Sequence, residues 1–416
     1  MIIKLNIWLS SPSGEILKVG ELAVKDPDPR GALHGQFRYA PEYLEAPEAF
    51  SLDPRHLPLT TASFAADRPH SGVHGVFEDS LPDDWGRSIM IRRYKLGRSE
   101  QRVPHLLRLL GGQGLGALIY GEDEPLPSPA KVFCRHLEEL AVMAEQYEND
   151  PGLIADDALS MLFQAGSSPG GARPKALVAD GNDDYLAKFT STKDRLDVVS
   201  LEAAVMKLAR LAGVETAETR VLSFGSRKCL LVKRFDINAA GGRNHLISMQ
   251  SLLKADGYYY AGYRDLAAAI RYVSTIPHRD LYMLYRQMIF NTMVGNTDDH
   301  LKNFCMLHDQ EGWRLSPAFD LVPNIGRNQE HALSIGPDCR PPDLETLLAE
   351  AKHFGIKRRQ QALEVATAVH DAVSGWEAVF KEYGVPGKDA EVIGTDIRNR
   401  LEKTGPAKRG ARMTSK

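Results

Sequence analysis

The stretch Gly295–Asp320, GNTDDHLKNFCMLHDQEGWRLSPAFD, constrains this 416-residue chain more than any other. It carries an Asp-Asp pair, sets Asn303 five positions after Asp298, and closes on Asp320 beyond a Trp-containing hairpin. Phosphoryl transfer from a nucleoside triphosphate needs these groups. One carboxylate orients and deprotonates the attacking hydroxyl, while an amide oxygen and a second carboxylate hold the metal ions that bridge the phosphates. An Asp-x4-Asn spacing arises by chance roughly once in a chain of ordinary composition, so the surroundings decide its meaning.

Composition narrows the classes. Hydrophobic residues make up 43% and charged residues 25%, the balance of a water-soluble globular protein long enough for two or three cores. A formal net charge of −3 gives no global basic field for nucleic acid or membrane. Cys134, Cys229, Cys305 and Cys339 form no Cys-x-x-Cys pair, which argues against a zinc site or disulfide framework and suits a reducing cytosol. The opening MIIKLNIWLSSPSGE lacks a basic segment followed by an apolar core, and no apolar run reaches the ~18 residues of a membrane span. A cytoplasmic location is the expectation.

Along the chain, Ile3, Leu5, Ile7 and Leu9 alternate with polar residues as a half-buried strand. A Ser-Pro-Ser-Gly turn then leads into a second strand through Leu17, Val19, Leu22 and Val24, which predicts a hairpin. LPDDWGRSIMIRRY (81–94) predicts a helix capped by Asp83 or Asp84. His70 and His74 read as solvated loop residues. Residues 1–125 read as a small β-rich domain ending in a Pro-rich exit. In 162–189, the glycine-rich turn Gly166-Ser-Ser-Pro-Gly-Gly171 precedes two strands, the second ending near Lys188. Glycines admit phosphate oxygens to backbone amides, and a strand lysine can neutralise them. Ala172-Arg173 stand where a Walker A loop needs Lys-Ser/Thr, and a plain Gly-Pro hairpin turn is the alternative.

Residues 194–214 predict an amphipathic helix with Glu202 near its start, either exposed or turned to hold Lys188. CLLVKRFD (229–236) is an apolar strand running into a linker. Beyond about 245 the pattern is helical, and a helix over 280–295, stopped by Gly295, delivers the chain into NTDDHLKNF. The tail from 403 to 416 is basic and reads as disordered. The divisions expected are 1–125, a nucleotide-binding lobe at 126–236, a helical lobe at 237–402, and the tail. Within this order Asp298 serves as base and Asn303 and Asp320 as metal ligands. Lys302 offsets charge on the transferring group, and His300 orients the loop. Asp299 competes for the base role, but stands one position short of the spacing.

GSSPGGARPK, LAKF, VKRFD, NTDDHLKNF and LSPAFDLVP, in this order, resemble the HipA family of bacterial toxin–antitoxin serine/threonine kinases. KVGELAV, LPDDWGR and GALIYGED resemble that family's N-terminal domain, so the likeness runs from residue 1 to about 385. The resemblance implies an α+β, two-lobed protein-kinase-like fold that uses ATP and Mg2+, with a β-rich N-terminal subdomain and a helical C-terminal lobe. It implies phosphate contacts from Gly170, Gly171, Ala172, Arg173, Pro174, Lys175 and Lys188, with His300 and Asn303 also in the ATP site. Adenine contacts are implied for Lys233, Arg234 and Phe235, although Lys233 stands where an acidic residue is usual. It also implies autophosphorylation of Ser168, or of Ser167 beside it, which would eject the loop and repel ATP phosphates. Pro169 stiffens the loop at that point. A separate HipB-like DNA-binding antitoxin is implied as partner, carrying most of the DNA contact. An aminoacyl-tRNA synthetase, notably the glutamate enzyme, is the implied substrate. A small-molecule phosphotransferase and a catalytically silent antitoxin-binding pseudokinase are the alternatives.

Overall fold

The computed structural model describes residues 2–405 except 67, 125–131, 153, 167–172, 226, 239–240, 256–259 and 325–328. The expected Pro-rich exit at 121–130 therefore falls largely outside the described residues, as do Ser167, Ser168, Gly170, Gly171, Ala172 and the tail from 406.

The predicted hairpin is β1 (Ile2–Ser10) with β2 (Ile16–Lys25), paired antiparallel with Leu5 opposite Leu22. β3 (His34–Tyr39), β4 (Ser63–Ala65) and β5 (Leu118–Gly121) complete a five-stranded sheet ordered β4-β3-β2-β1-β5. Leu5, Ile7, Leu22 and Val24 are at most 1% exposed, as period-two alternation requires when one sheet face meets a core. The helix Asp84–Arg93 packs against the helix Asp156–Gly166, and Asp83 caps it by accepting the Gly86 N–H at 3.2 Å. One expectation fails here: His74 is buried, stacked edge-on against Phe37 and Phe77, and only His70 is exposed. The local sequence is polar and turn-rich, but the apolar wall comes from β3 and a neighbouring turn.

A second sheet holds β6 (Lys175–Asp180), β7 (Asp183–Phe189), β8 (Thr219–Phe224) and β9 (Arg227–Lys233), ordered β6-β7-β9-β8. The helix Val198–Leu211 packs on it and is buried almost throughout, wider than the single face expected from its pattern. The third sheet, β10 (His245–Ser248), β11 (Cys305–Asp309) and β12 (Gly312–Leu315), interrupts the helical region expected beyond 245. Around it lie the helices Tyr263–Val273, Pro277–Val294, Arg359–Ser374 and Gly387–Thr404. The last of these runs past the expected boundary at 402, because Thr404 is 1% exposed and its hydroxyl bonds the Arg400 carbonyl. Among the described residues no helix is long and apolar enough to cross a membrane.

The first sheet's domain is tied to the rest by buried polar joints. Asp79 accepts both the backbone N–H and the hydroxyl of Ser248 at 2.8 Å. Arg234 donates twice to Asp236, at 3.0 and 2.6 Å, and Asp236 also accepts the Gly116 N–H at 2.7 Å. Both charged side chains are under a tenth exposed. Removing one partner leaves a buried charge without compensation, so Asp236→Ala should lower unfolding free energy by about 3–5 kcal/mol in denaturant titrations. A loss below about 1 kcal/mol would contradict the joint's importance.

Candidate active site

The helix Pro277–Val294 ends on Gly295 at φ +76°, and a Cβ there would lie 2.7 Å from an Asp396 carboxylate oxygen. Glycine is thus needed both for conformation and for space. The chain turns at once into the loop, which is pinned from several sides. The Asn324 N–H donates to Gly295 O at 2.8 Å and the Ala332 N–H to Thr297 O at 2.9 Å.

The two adjacent acids differ sharply. Asp298 is exposed, while Asp299 is 1% exposed. Asp299 Oδ2 accepts the Tyr263 hydroxyl at 2.7 Å and faces His331 Nδ1 at 2.9 Å, and its Oδ1 accepts the Ala332 N–H at 2.9 Å. Asn291 donates to the Tyr263 hydroxyl at 3.0 Å, and Asn296 donates to Asn291 at 3.2 Å. Asp299 is therefore the anchor of the loop, and Asp298 is the acid left exposed.

After His300 a single 3-10 turn, Leu301–Asn303, brings the Asn303 side chain back over the loop. Its Nδ2 donates to the Asp298 carbonyl at 2.9 Å, which leaves Oδ1 as the acceptor. Lys302 is exposed and His300 half-buried.

Across the fold, Lys188 on β7 donates to Glu202 Oε1 and to Asp320 Oδ1, both at 2.6 Å. Glu202 is buried, so the ordinary exposed-helix alternative is excluded. Burial works against the Asp320 carboxylate, but the Lys188 ammonium overcomes it and holds the group down at about 2. Burial likewise disfavours the Lys188 charge, yet Asp320 and Glu202 keep it above the ordinary lysine value. Burial raises Glu202, and Lys188 opposes it. Asp320 sits at φ +56°, a left-handed conformation that only its surroundings can impose and that recurs where function dictates side-chain direction. His300 is close enough to Asp320 to act on it electrostatically, which brings the loop and Asp320 together. The three sequence-distant parts Lys188, Glu202 and Asp320 thus meet.

Other predicted contacts are placed differently. Lys233 faces Asp183 at 2.9 Å, and the Arg234 guanidinium is paired with Asp236. The Phe235 ring lies 5.7 Å from that of Phe319, the residue before Asp320. Arg173 is exposed and bonds Asp194 at 2.9 Å, while Pro174 is buried. Lys175 is buried and donates to Asp83 Oδ2 at 2.6 Å instead of opening toward solvent. Burial pushes its charge below the ordinary lysine value, and Asp83 opposes that. The sequence marked Asp83 only as a helix cap. Its partner lies 92 positions away, beyond any local signal.

Asn303 and Asp320 offer hard oxygen donors, suited to magnesium, which accepts one or two protein ligands and completes its shell with phosphates and water. The residues present fit that ion.

Residues 10–121 match the HipA N-terminal domain and residues 167–376 the HipA-like C-terminal domain. A Sinorhizobium fredii protein whose name designates it a kinase, Y4mE, is 28% identical over 91% of this chain and 89% of its own length. A Shewanella oneidensis protein named serine/threonine-protein kinase toxin HipA is 24% identical over 58% of this chain and 61% of its own. The solved complex of Shewanella oneidensis HipA with HipB and operator DNA contains a chain of the same fold. The TM-score is 0.70 and the identity 20%, with 96% of this chain and 97% of that chain covered. The fold is α+β and kinase-like, and the chain belongs to the HipA family.

Proposed function

We propose that this protein is an ATP- and Mg2+-dependent serine/threonine protein kinase and the toxin of a toxin–antitoxin pair. The observation that carries the reading is the bridge from Lys188 to Glu202 and Asp320, beside a loop that exposes Asp298 alone of its two acids. In this reading Lys188, held by Glu202, neutralises phosphate oxygens of ATP, and Asp298 accepts the proton of the substrate hydroxyl. Asn303 and Asp320 would hold Mg2+, which would supply charge neutralisation for the phosphates. Lys302, which is exposed, offsets charge on the transferred group, and His300 orients the loop. The partner is a HipB-like DNA-binding antitoxin, as in the solved Shewanella complex, whose title names HipA, HipB and operator DNA. The substrate is a protein, an aminoacyl-tRNA synthetase of the glutamate–tRNA ligase kind. Phosphorylation of Ser168 or Ser167 in the glycine-rich segment turns the enzyme off by placing a dianion where ATP phosphates bind.

Incubation of the purified protein with γ-labelled ATP and a bacterial lysate tests this directly. Label should enter a discrete protein band other than the enzyme. Label confined to small metabolites would replace the reading with a small-molecule phosphotransferase. No transfer and no nucleotide binding would leave only an antitoxin-binding role.

A further inference from the structure

Lys175 begins β6, directly after the glycine-rich segment, and stands opposite Lys188 in the β6–β7 register. Two ammonium groups are thus set on neighbouring strands at the nucleotide site. Lys188 is paired within the kinase lobe, with Glu202 and Asp320. The carboxylate against Lys175 belongs to the other domain: Asp83, at 2.6 Å, from the LPDDWGR turn that opens the helix Asp84–Arg93. The side chains are 2% and 12% exposed, so solvent screens the pair little. Both Asp83 oxygens are committed, Oδ1 to the Gly86 N–H and Oδ2 to Lys175, which fixes the carboxylate in direction as well as place.

We propose that Asp83 is a positioning residue for ATP: it fixes Lys175 and the start of β6, so that the N-terminal domain is a working part of the nucleotide site. The inference rests on the kinase reading above. Without the Asp83 charge, Lys175 loses its 2.6 Å ion pair, and the start of β6 loses that anchor to the N-terminal domain.

Asn is a sound helix cap, so Asp83→Asn keeps the Gly86 bond and removes only the charge. The wild type and this variant are compared by titration with ATP and Mg2+, alongside Lys175→Met and the double variant. The expected result is an ATP Kd raised about tenfold in Asp83→Asn, the size of a typical coupling between directly paired groups. Transfer at saturating ATP should change less than the KM for ATP. The double variant should bind within about twofold of Lys175→Met alone, because the two share one interaction. Asp83→Glu, which keeps the charge, should recover part of the affinity, and it supplies a second folded variant if Asp83→Asn proves unstable. A merely structural cap would lower the melting temperature without a KM-selective change. Wild-type affinity in a folded Asp83→Asn protein, or additive losses in the double variant, would overturn the proposal. Absence of ATP binding by the wild type would instead overturn the kinase reading, and this inference with it.

Discussion

Asp298→Asn should lower the rate of phosphoryl transfer about a thousandfold, within the 10²–10⁴ range a positioned general base contributes. ATP affinity should stay within about threefold of wild type, because the cations that meet the phosphates are unaffected. The asymmetry follows from the two acids of the loop. Asp298 is exposed, whereas its neighbour is enclosed by Tyr263, His331 and the backbone of Ala332. The same change at Asp299 should therefore act through folding. An amide there offers one acceptor oxygen where Tyr263, His331 and the backbone N–H groups of Ala332 and Leu333 converge, and a buried unsatisfied group costs about 1–3 kcal/mol. Single-turnover transfer, nucleotide titration and thermal melts on both variants separate the cases. Transfer within tenfold of wild type in Asp298→Asn would remove Asp298 from the base role. A large kinetic loss in Asp299→Asn with unchanged melting would exchange the two assignments.

What the sequence made legible here is what is encoded within a few residues. The β1–β2 hairpin follows from alternation, the helix Pro277–Val294 from its spacing and its terminal glycine, and the Asp298-to-Asn303 step from a single turn. The pairing of Lys188 with Glu202 was accessible because strand and helix are consecutive. The direction of the Arg234 side chain was not legible, because a motif places a residue on a strand end and leaves open which way its side chain leaves the strand. Burial beside Asp236 decided that, in contact with a turn 120 positions earlier. Asp83, Tyr263 and His331 became visible only with the fold, since their partners are brought together by tertiary packing.

Acid should undock the N-terminal domain from the helical lobe before it dismantles either. Residues 50–52 lie against β10–β12 through an aromatic cluster: Phe50 stacks on His308 at 3.6 Å, and Trp313 meets both His308 and His245 edge-on. His245 and His308 are register partners across β10 and β11. His245 Nε2 donates to the Leu52 carbonyl at 3.0 Å, and its buried Nδ1 has no hydrogen-bond partner among the described residues. Burial holds both imidazoles down at about 4, against an ordinary 6.5. In the unfolded chain they take up protons near 6.5, whereas in the folded protein they resist until about 4, so stability is intact above 6.5 and falls as pH drops between those values. At 1.36 kcal/mol per unit the two sites together can remove roughly 3–6 kcal/mol, with His308 at the lower end because it is partly exposed. That is a large share of the 5–15 kcal/mol that typically separates folded from unfolded protein. His308→Phe preserves the stack on Phe50 and removes one titrating group, so its urea stability should depend less on pH between 6.5 and 4.5 than that of wild type. Equal slopes in the two proteins would show that the acid sensitivity lies in carboxylates elsewhere. A difference between them would place it at this joint, where the two imidazoles repel each other once protonated and Asp53 offsets the charge on His245 only in part.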